Sequence, residues 1–178
     1  MFYINIIAGL IDTYCFLLIL RIWFQLNRVS IGNPLSISLR EITNWILNPI
    51  NKVVPNYKTL NIGAIILTIV LLYLRIMMIT KAQLSIEFYI IVALLSFIKI
   101  VGTLLFWLLI ITAIGSWFLQ GNQLYRIIID ITNPILDKVR SILPKTGMLD
   151  FSVIVMELIL IIGNHILYHA LPVYWAIA

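Results

Sequence analysis

The chain has 178 residues, of which 62% are apolar and 11% charged, with a net charge of +5 and a mean hydropathy of +1.09. An ordinary soluble domain carries about a quarter charged residues, so this composition excludes one and describes an integral membrane protein with a single membrane domain. Charge runs are absent, which gives nucleic acid no footing as a partner, and lipid headgroups with the usual cytoplasmic bias account for the excess of bases.

A spanning helix needs about 20 mainly apolar residues. Four windows qualify: Tyr3 to Phe24, Ile62 to Thr80, Phe97 to Phe118 and Phe151 to Tyr168. The first has no basic lead and no small-residue cleavage site before Arg21, so it reads as a retained span rather than a signal peptide. Its single Cys15 reads as a small packing residue.

Between the first two spans lies a segment that returns 89 residues later. Ile42-Thr43-Asn44 recurs as Ile131-Thr132-Asn133, Ile46-Leu47 as Ile135-Leu136, Pro55 as Pro144 and Leu60 as Leu149. A fixed-period match of this kind indicates an internal duplication. Ile42, Ile46, Ile50 and Val53 form one helical stripe, and Ile131, Ile135, Val139 and Ile142 repeat it. Polar residues lie opposite, so both segments read as amphipathic helices in the interface plane, with Lys and Arg reaching anionic headgroups. Asn48-Pro49 and Asn133-Pro134 have the form of a helix start, which makes two short helices with a bend an alternative in each copy. Pro55 and Pro144 are expected to end the helices.

The stretch from Ser85 to Leu119 is longer than one span and too short for two with a turn. Ile86 to Ser96, carrying Glu87, is expected to be a partly embedded lead-in to the third helix. The resulting architecture is an all-α membrane protein with four transmembrane helices in two parallel two-span repeats, residues 1–84 and 85–178, each with an interfacial amphipathic helix between its spans. Arg28, Arg40, Lys52 and Lys58 in one repeated loop, and Arg126, Lys138, Arg140 and Lys145 in the other, stand against Lys81 alone in the middle connection. That asymmetry places both repeated loops in the cytoplasm and both termini outside it.

Ionisable groups within spans are costly and mark functional candidates. Asp12, Arg75 and Lys99 all fall in the outer half of the membrane in this topology and are expected to form a polar cluster, with snorkelling of the two bases as the alternative. Glu157 is expected to pair with a base of the second loop. His165 and His169 share a helix face beside Asn164, but nothing supplies a third ligand, so they read as interfacial anchors near Tyr168, Tyr174 and Trp175, and neither metal nor cofactor is expected. Gly9 with Thr13, and Thr112 with Gly115 and Ser116, are spaced for close helix contact in lipid.

Leu20-Arg21-Ile22-Trp23-Phe24-Gln25, Asn33-Pro34-Leu35-Ser36, Gly102-Thr103-Leu104-Leu105-Phe106-Trp107, Ser116-Trp117 with Gln120-Gly121, and Asn133-Pro134-Ile135-Leu136 through Arg140, Pro144, Gly147 and Asp150-Phe151-Ser152 resemble the YggT family of integral membrane proteins over nearly the whole chain. The sequence departs from the family pattern in having Asn133 where an Asp is typical, Arg140-Ser141 in place of an Arg pair and a single Gly147. In the first copy Trp45 replaces the Pro, and Lys58 and Asn61 take the Gly and Asp places. The resemblance implies a bacterial inner-membrane location and an association with osmotic or ionic stress tolerance, envelope organisation or, in chloroplast members, assembly of a cytochrome with covalently bound haem.

No catalytic constellation is present: Ser, His and acidic residues fall on different spans or loops without a nucleophile elbow, phosphate loop or metal motif. The expected function is that of a non-enzymatic accessory or scaffold protein whose partners are the bilayer with its anionic headgroups and another membrane protein or a second copy. Arg126, Lys138, Arg140, Pro144 and Asp150 carry it, with Arg40, Lys52 and Pro55 as counterparts in the more divergent first copy. The alternative is a small ion transporter or channel component acting as an oligomer, and a haem-assembly factor is a third option.

Overall fold

A computed structural model describes residues 2–30, 32–54, 56–57, 59–119, 121–143 and 151–178. Among the described residues seven helices follow one another: α1 (Phe2–Leu26), α2 (Pro34–Val53), α3 (Ile62–Ile79), α4 (Ile86–Phe118), α5 (Gln123–Arg140), α6 (Phe151–Ala170) and α7 (Pro172–Ile177). Helices α1, α3, α4 and α6 are long and apolar enough to cross a membrane, yet only 11% to 28% of the residues in their most apolar windows are buried. Side chains such as Leu10, Val70, Ile98 and Ile162 stand exposed along them. In water such surfaces would drive aggregation, whereas hydrocarbon accepts them and requires only that the backbone be bonded internally, which a helix does.

The structure departs from the sequence expectation at α4, and from the alternative of two short helices at α2 and α5. The lead-in from Ile86 to Ser96 is part of α4, a single helix of 33 residues. No Pro interrupts it, and Ser96 returns its hydroxyl proton to Val92 O at 2.8 Å instead of breaking the ladder. At 1.5 Å per residue it is about 50 Å long, more than the roughly 30 Å of hydrocarbon. Likewise α2 and α5 run through Pro49 and Pro134. Their caps are instead Asn33 and Asn122, whose Oδ1 atoms accept from the N–H two residues ahead at 3.0 Å and 2.8 Å. Helices nucleated there propagate past the proline, whose missing bond costs about 3 kcal/mol, because a fully buried leucine two residues away, Leu47 before Pro49 and Leu136 after Pro134, ties that turn into the packed face. Pro55 and Pro144 lie outside the described residues.

The chain forms two compact units, residues 1–101 with 171–178 and residues 102–170, a partition different from the sequence repeat. In the first, α1, α2 and α3 close on Leu18, Ile22, Leu47 and Ala64. Cys15, Leu72, Ile76, Tyr89, Val92 and Ala93 form a second cluster, with Tyr174 and Ile177 of α7 against it. Helix α7 was not expected: Trp175 is buried rather than anchored at an interface. Tyr89 fixes the α3–α4 connection by accepting from Leu84 N at 2.9 Å. In the second unit Leu109, Leu136 and Val153 pack together.

Candidate functional site

Within the spans, Arg75 Nε lies 2.7 Å from Asp12 Oδ1, an ion pair between α3 and α1. Lys99 engages α7: its Nζ donates to Trp175 O at 3.1 Å and stands 5.4 Å from the centre of the Trp175 ring. The Glu157 carboxylate oxygens are buried with no hydrogen-bond partner among the described residues, and the expected pairing with a loop base is not seen there. His165 and His169 meet edge to face, 4.3 Å between ring centres. Gly9 has open space around it, and Thr13 donates to its carbonyl at 2.8 Å.

The bases of the repeated helices, Arg40 and Lys52 in α2 and Arg126, Lys138 and Arg140 in α5, are all exposed. Arg140 Nη1 bonds Asp137 Oδ1 at 2.7 Å and Asn133 Oδ1 at 3.2 Å, so this base is anchored to its own helix. Pro144 and Asp150 lie outside the described residues. Of the first isoleucine stripe, Ile42 and Val53 are exposed and Ile46 and Ile50 half-buried. The face of α2 packed into the protein is a neighbouring one: Ser36, Leu39, Thr43 and Leu47. On α5 it is Tyr125, Ile127, Ile131, Thr132 and Leu136.

That packed face of α2 borders a cavity of about 670 Å³ at the α1–α2 and α2–α3 connections. Among its lining residues are Arg21, Arg28, Arg40, Gln25, Ser36 and Asn61, and no described lining residue is acidic. Three helical devices build it. The α1 terminus turns by a Schellman motif in which Val29 N bonds Phe24 O at 3.0 Å and Arg28 N bonds Gln25 O at 3.1 Å, the pattern that places the residue after the C-cap in the left-handed region. Arg28 holds that position at φ +53° where glycine is usual. Thr43, buried, donates to Leu39 O at 2.6 Å and accepts from Arg21 Nη1. Asn61 caps α3, accepting from Ala64 N at 2.8 Å, and Gly63 lets Asn51 of α2 approach, since a Cβ there would stand 2.6 Å from Asn51 Oδ1.

Arg21 is only 6% exposed. Its Nη1 also donates to Asn44 Oδ1 at 2.9 Å, but its Nε is buried without a partner, as are Ser36 Oγ and Gln25 Oε1. Arg40 and Arg28 line the same cavity as Arg21, and no carboxylate forms an ion pair with Arg21, Arg28 or Arg40 among the described residues. Buried polar atoms in proteins are ordinarily satisfied, so three orphans around one cavity beside three guanidiniums mark it out. Of this set the sequence reading gave only Arg40 as a candidate site residue, with Arg28 counted for topology alone. The available signal was Arg21 itself, a charged residue on a span one turn from the loop.

The second copy does not repeat the cavity's polar residues: the 89-residue period places Ile110, Trp117 and Ile129 where Arg21, Arg28 and Arg40 stand. Adding the 89-residue period to Ser36 gives Tyr125. The Tyr125 hydroxyl donates to Thr112 O at 2.9 Å, and its ring lies so close to Gly115 that a Cβ there would collide with it. Burial pushes the phenol above its ordinary pKa. Thr132, the equivalent of Thr43, keeps the same back-bond, to Ile128 O at 2.8 Å, but faces Thr112 Oγ1 at 3.2 Å where Thr43 faces an arginine.

Among the described residues, four helices long and apolar enough to cross a bilayer make this a multi-pass membrane protein. The chain belongs to the CCB3/YggT family, whose profile matches residues 1–82 and 91–171, in agreement with the resemblance read from its motifs. It is 32% identical to an uncharacterized protein of Haemophilus influenzae over 97% of this chain and 94% of that one. It is 31% identical to the uncharacterized protein in the proC 3' region of Vibrio alginolyticus, over 96% and 95%. With the uncharacterized protein YggT of Escherichia coli it shares 29% identity over 89% and 85%. No solved structure matches the chain.

Proposed function

We propose that the protein is a non-enzymatic accessory or scaffold protein of the bacterial inner membrane, in which α2 and α5 lie at the cytoplasmic interface and present bases and apolar side chains to anionic headgroups or to another membrane protein. The observation that carries this reading is the retention of one local design in two diverged copies. Each helix is capped by Asn at the same register, Asn33 and Asn122. Each buries a back-bonded Thr and a Leu, Thr43 with Leu47 and Thr132 with Leu136, and leaves its bases exposed. Trp45 and Val53 on α2 are 74% and 82% exposed, suited to insertion beneath a headgroup layer. The basic-residue bias supports the cytoplasmic placement. In this reading the protein contributes to envelope organisation, complex assembly or osmotic tolerance.

Charge reversal at Lys138 and Arg140 tests it. The Lys138→Glu/Arg140→Glu variant should lose a co-purifying partner from native membranes or shift its preference among lipids; unchanged behaviour in both assays would refute the reading. A second reading, an ion-conducting oligomer, draws on the Asp12–Arg75 pair within the spans. Flux into liposomes that disappears with Asp12→Asn would favour it.

A further inference from the structure

We propose that the Arg21–Arg28–Arg40 cavity is a binding site for the phosphate of a net-anionic phosphate ester. Guanidiniums are suited to phosphate because their planar N–H forks match its oxygens. Here three of them border one cavity without an acidic lining residue among those described. Arg21 is held deep by Thr43 and Asn44 with its Nε unengaged, and Ser36 adds an unpartnered hydroxyl at 8% exposure. An anion held among them would relieve the repulsion between Arg21 and Arg40, and the buried donors would gain acceptors.

Size and lining narrow the ligand. About 670 Å³ is far more room than inorganic phosphate fills and lies in the range of small-molecule sites. Asn56, Thr59 and Asn61 supply groups for hydroxyls, while Phe24, Val29, Leu39 and Leu60 supply apolar wall. That combination fits a phosphate carrying a polyol and an apolar tail better than a bare ion. A choline headgroup, whose cation would sit beside three arginines, is disfavoured. The same chemistry is offered by an anionic phospholipid headgroup and by a soluble sugar or glycerol phosphate. The 89-residue period maps Arg21, Arg28 and Arg40 onto Ile110, Trp117 and Ile129 and Ser36 onto Tyr125, so the second copy does not repeat the three-arginine lining.

The inference deepens the interfacial function and rests on it for the cavity's position at headgroup level. Protein in neutral detergent is titrated with dihexanoyl phosphatidylglycerol, with the phosphatidylcholine of the same chains and with glycerol phosphate, and bound ligand is counted by native mass spectrometry. Phosphatidylglycerol should bind one to one, and Arg28→Gln/Arg40→Gln should weaken it by about tenfold or more, the loss expected for charge-assisted hydrogen bonds. Both side chains are exposed, so this variant keeps its fold, checked by circular dichroism. Lys81→Gln, the same type of charge loss on the α3–α4 connection, should leave affinity within about twofold. Arg21→Lys, which keeps the charge and removes the fork, should fall between. Competition by glycerol phosphate identifies a soluble ester, and its failure to compete identifies the lipid; either upholds the site. Equal binding of phosphatidylcholine, or equal affinity of the double variant and the native protein, overturns it. Because these measurements are independent of Lys138 and Arg140, failure here is distinguishable from failure of the scaffold function.

Discussion

Gly115 and Tyr125 give a prediction whose sign decides it. In an unobstructed helix interior Gly→Ala stabilises by about 1 kcal/mol. At Gly115 the new methyl would stand 2.6 Å from Tyr125 Cδ2 and nearer still to Cε2, against an optimum carbon separation of about 3.5–4.0 Å. The ring must retreat by about 1 Å, and its hydroxyl bond to Thr112 O at 2.9 Å resists that. Overpacking of this kind costs about 1–3 kcal/mol, so Gly115→Ala should destabilise by roughly 1 kcal/mol net once the propensity gain is subtracted. In a Tyr125→Ala background, with the ring gone, the same substitution should stabilise. The two differ by about 2 kcal/mol, a coupling well above the error of a double-mutant cycle. Unfolding by SDS in mixed micelles, followed by far-ultraviolet circular dichroism, measures all four proteins. If Gly115→Ala is stabilising with Tyr125 present, Tyr125 does not plug the second copy and the contrast with Ser36 fails.

Arg28→Gly removes a left-handed non-glycine residue and a cavity guanidinium together. It should raise stability by about 1 kcal/mol while lowering phosphatidylglycerol affinity, and a loss of stability would show that the Schellman turn is not under strain. Thr43→Val deletes one of the two acceptors of a buried guanidinium, Asn44 Oδ1 being the other, and should cost about 1–3 kcal/mol, visible as a lower SDS midpoint. Asp12→Ala leaves Arg75 without its carboxylate and should cost more than Asp12→Ala/Arg75→Leu, because an unpaired charge is worse than none; equal costs would dismiss the pair as structural. The raised pKa of Tyr125 means the folded protein holds this proton where the unfolded chain releases it. Its contribution to stability is complete below pH about 10 and lost as pH rises beyond it, so Tyr125→Phe should flatten the alkaline limb of a stability–pH curve.

The apolar spans were legible because they depend on local rules, whereas the caps at Asn33, Asn61 and Asn122 were not read in advance. Hydrocarbon admits only internally bonded backbone, so Ile62–Ile79 and Phe151–Ala170 announce themselves by length and apolarity. The 89-residue echo locates α2 and α5 without any contact information. Their packed faces were harder to read, since α2 carries apolar residues on two adjacent faces and only the position of α1 and α3 selects Leu39 and Leu47 over Ile42 and Val53 for burial. The bend offered as an alternative at Pro49 and Pro134 does not form, because helices already capped at Asn33 and Asn122 run through both prolines and bury Leu47 and Leu136 beside them.

By itself the sequence determined that this is a multi-pass membrane protein of the CCB3/YggT family, because hydropathy and motifs are properties of the chain alone. Only the tertiary structure decided which charges meet. It joins Asp12 to Arg75, sends Lys99 to Trp175, and draws Arg21, Arg28 and Arg40 around one cavity by a left-handed turn at Arg28 and the seating of Thr43 against α1. These outcomes depend on helix rotation and loop path, which shift a long basic side chain by many ångströms without changing the hydropathy pattern that the sequence displays.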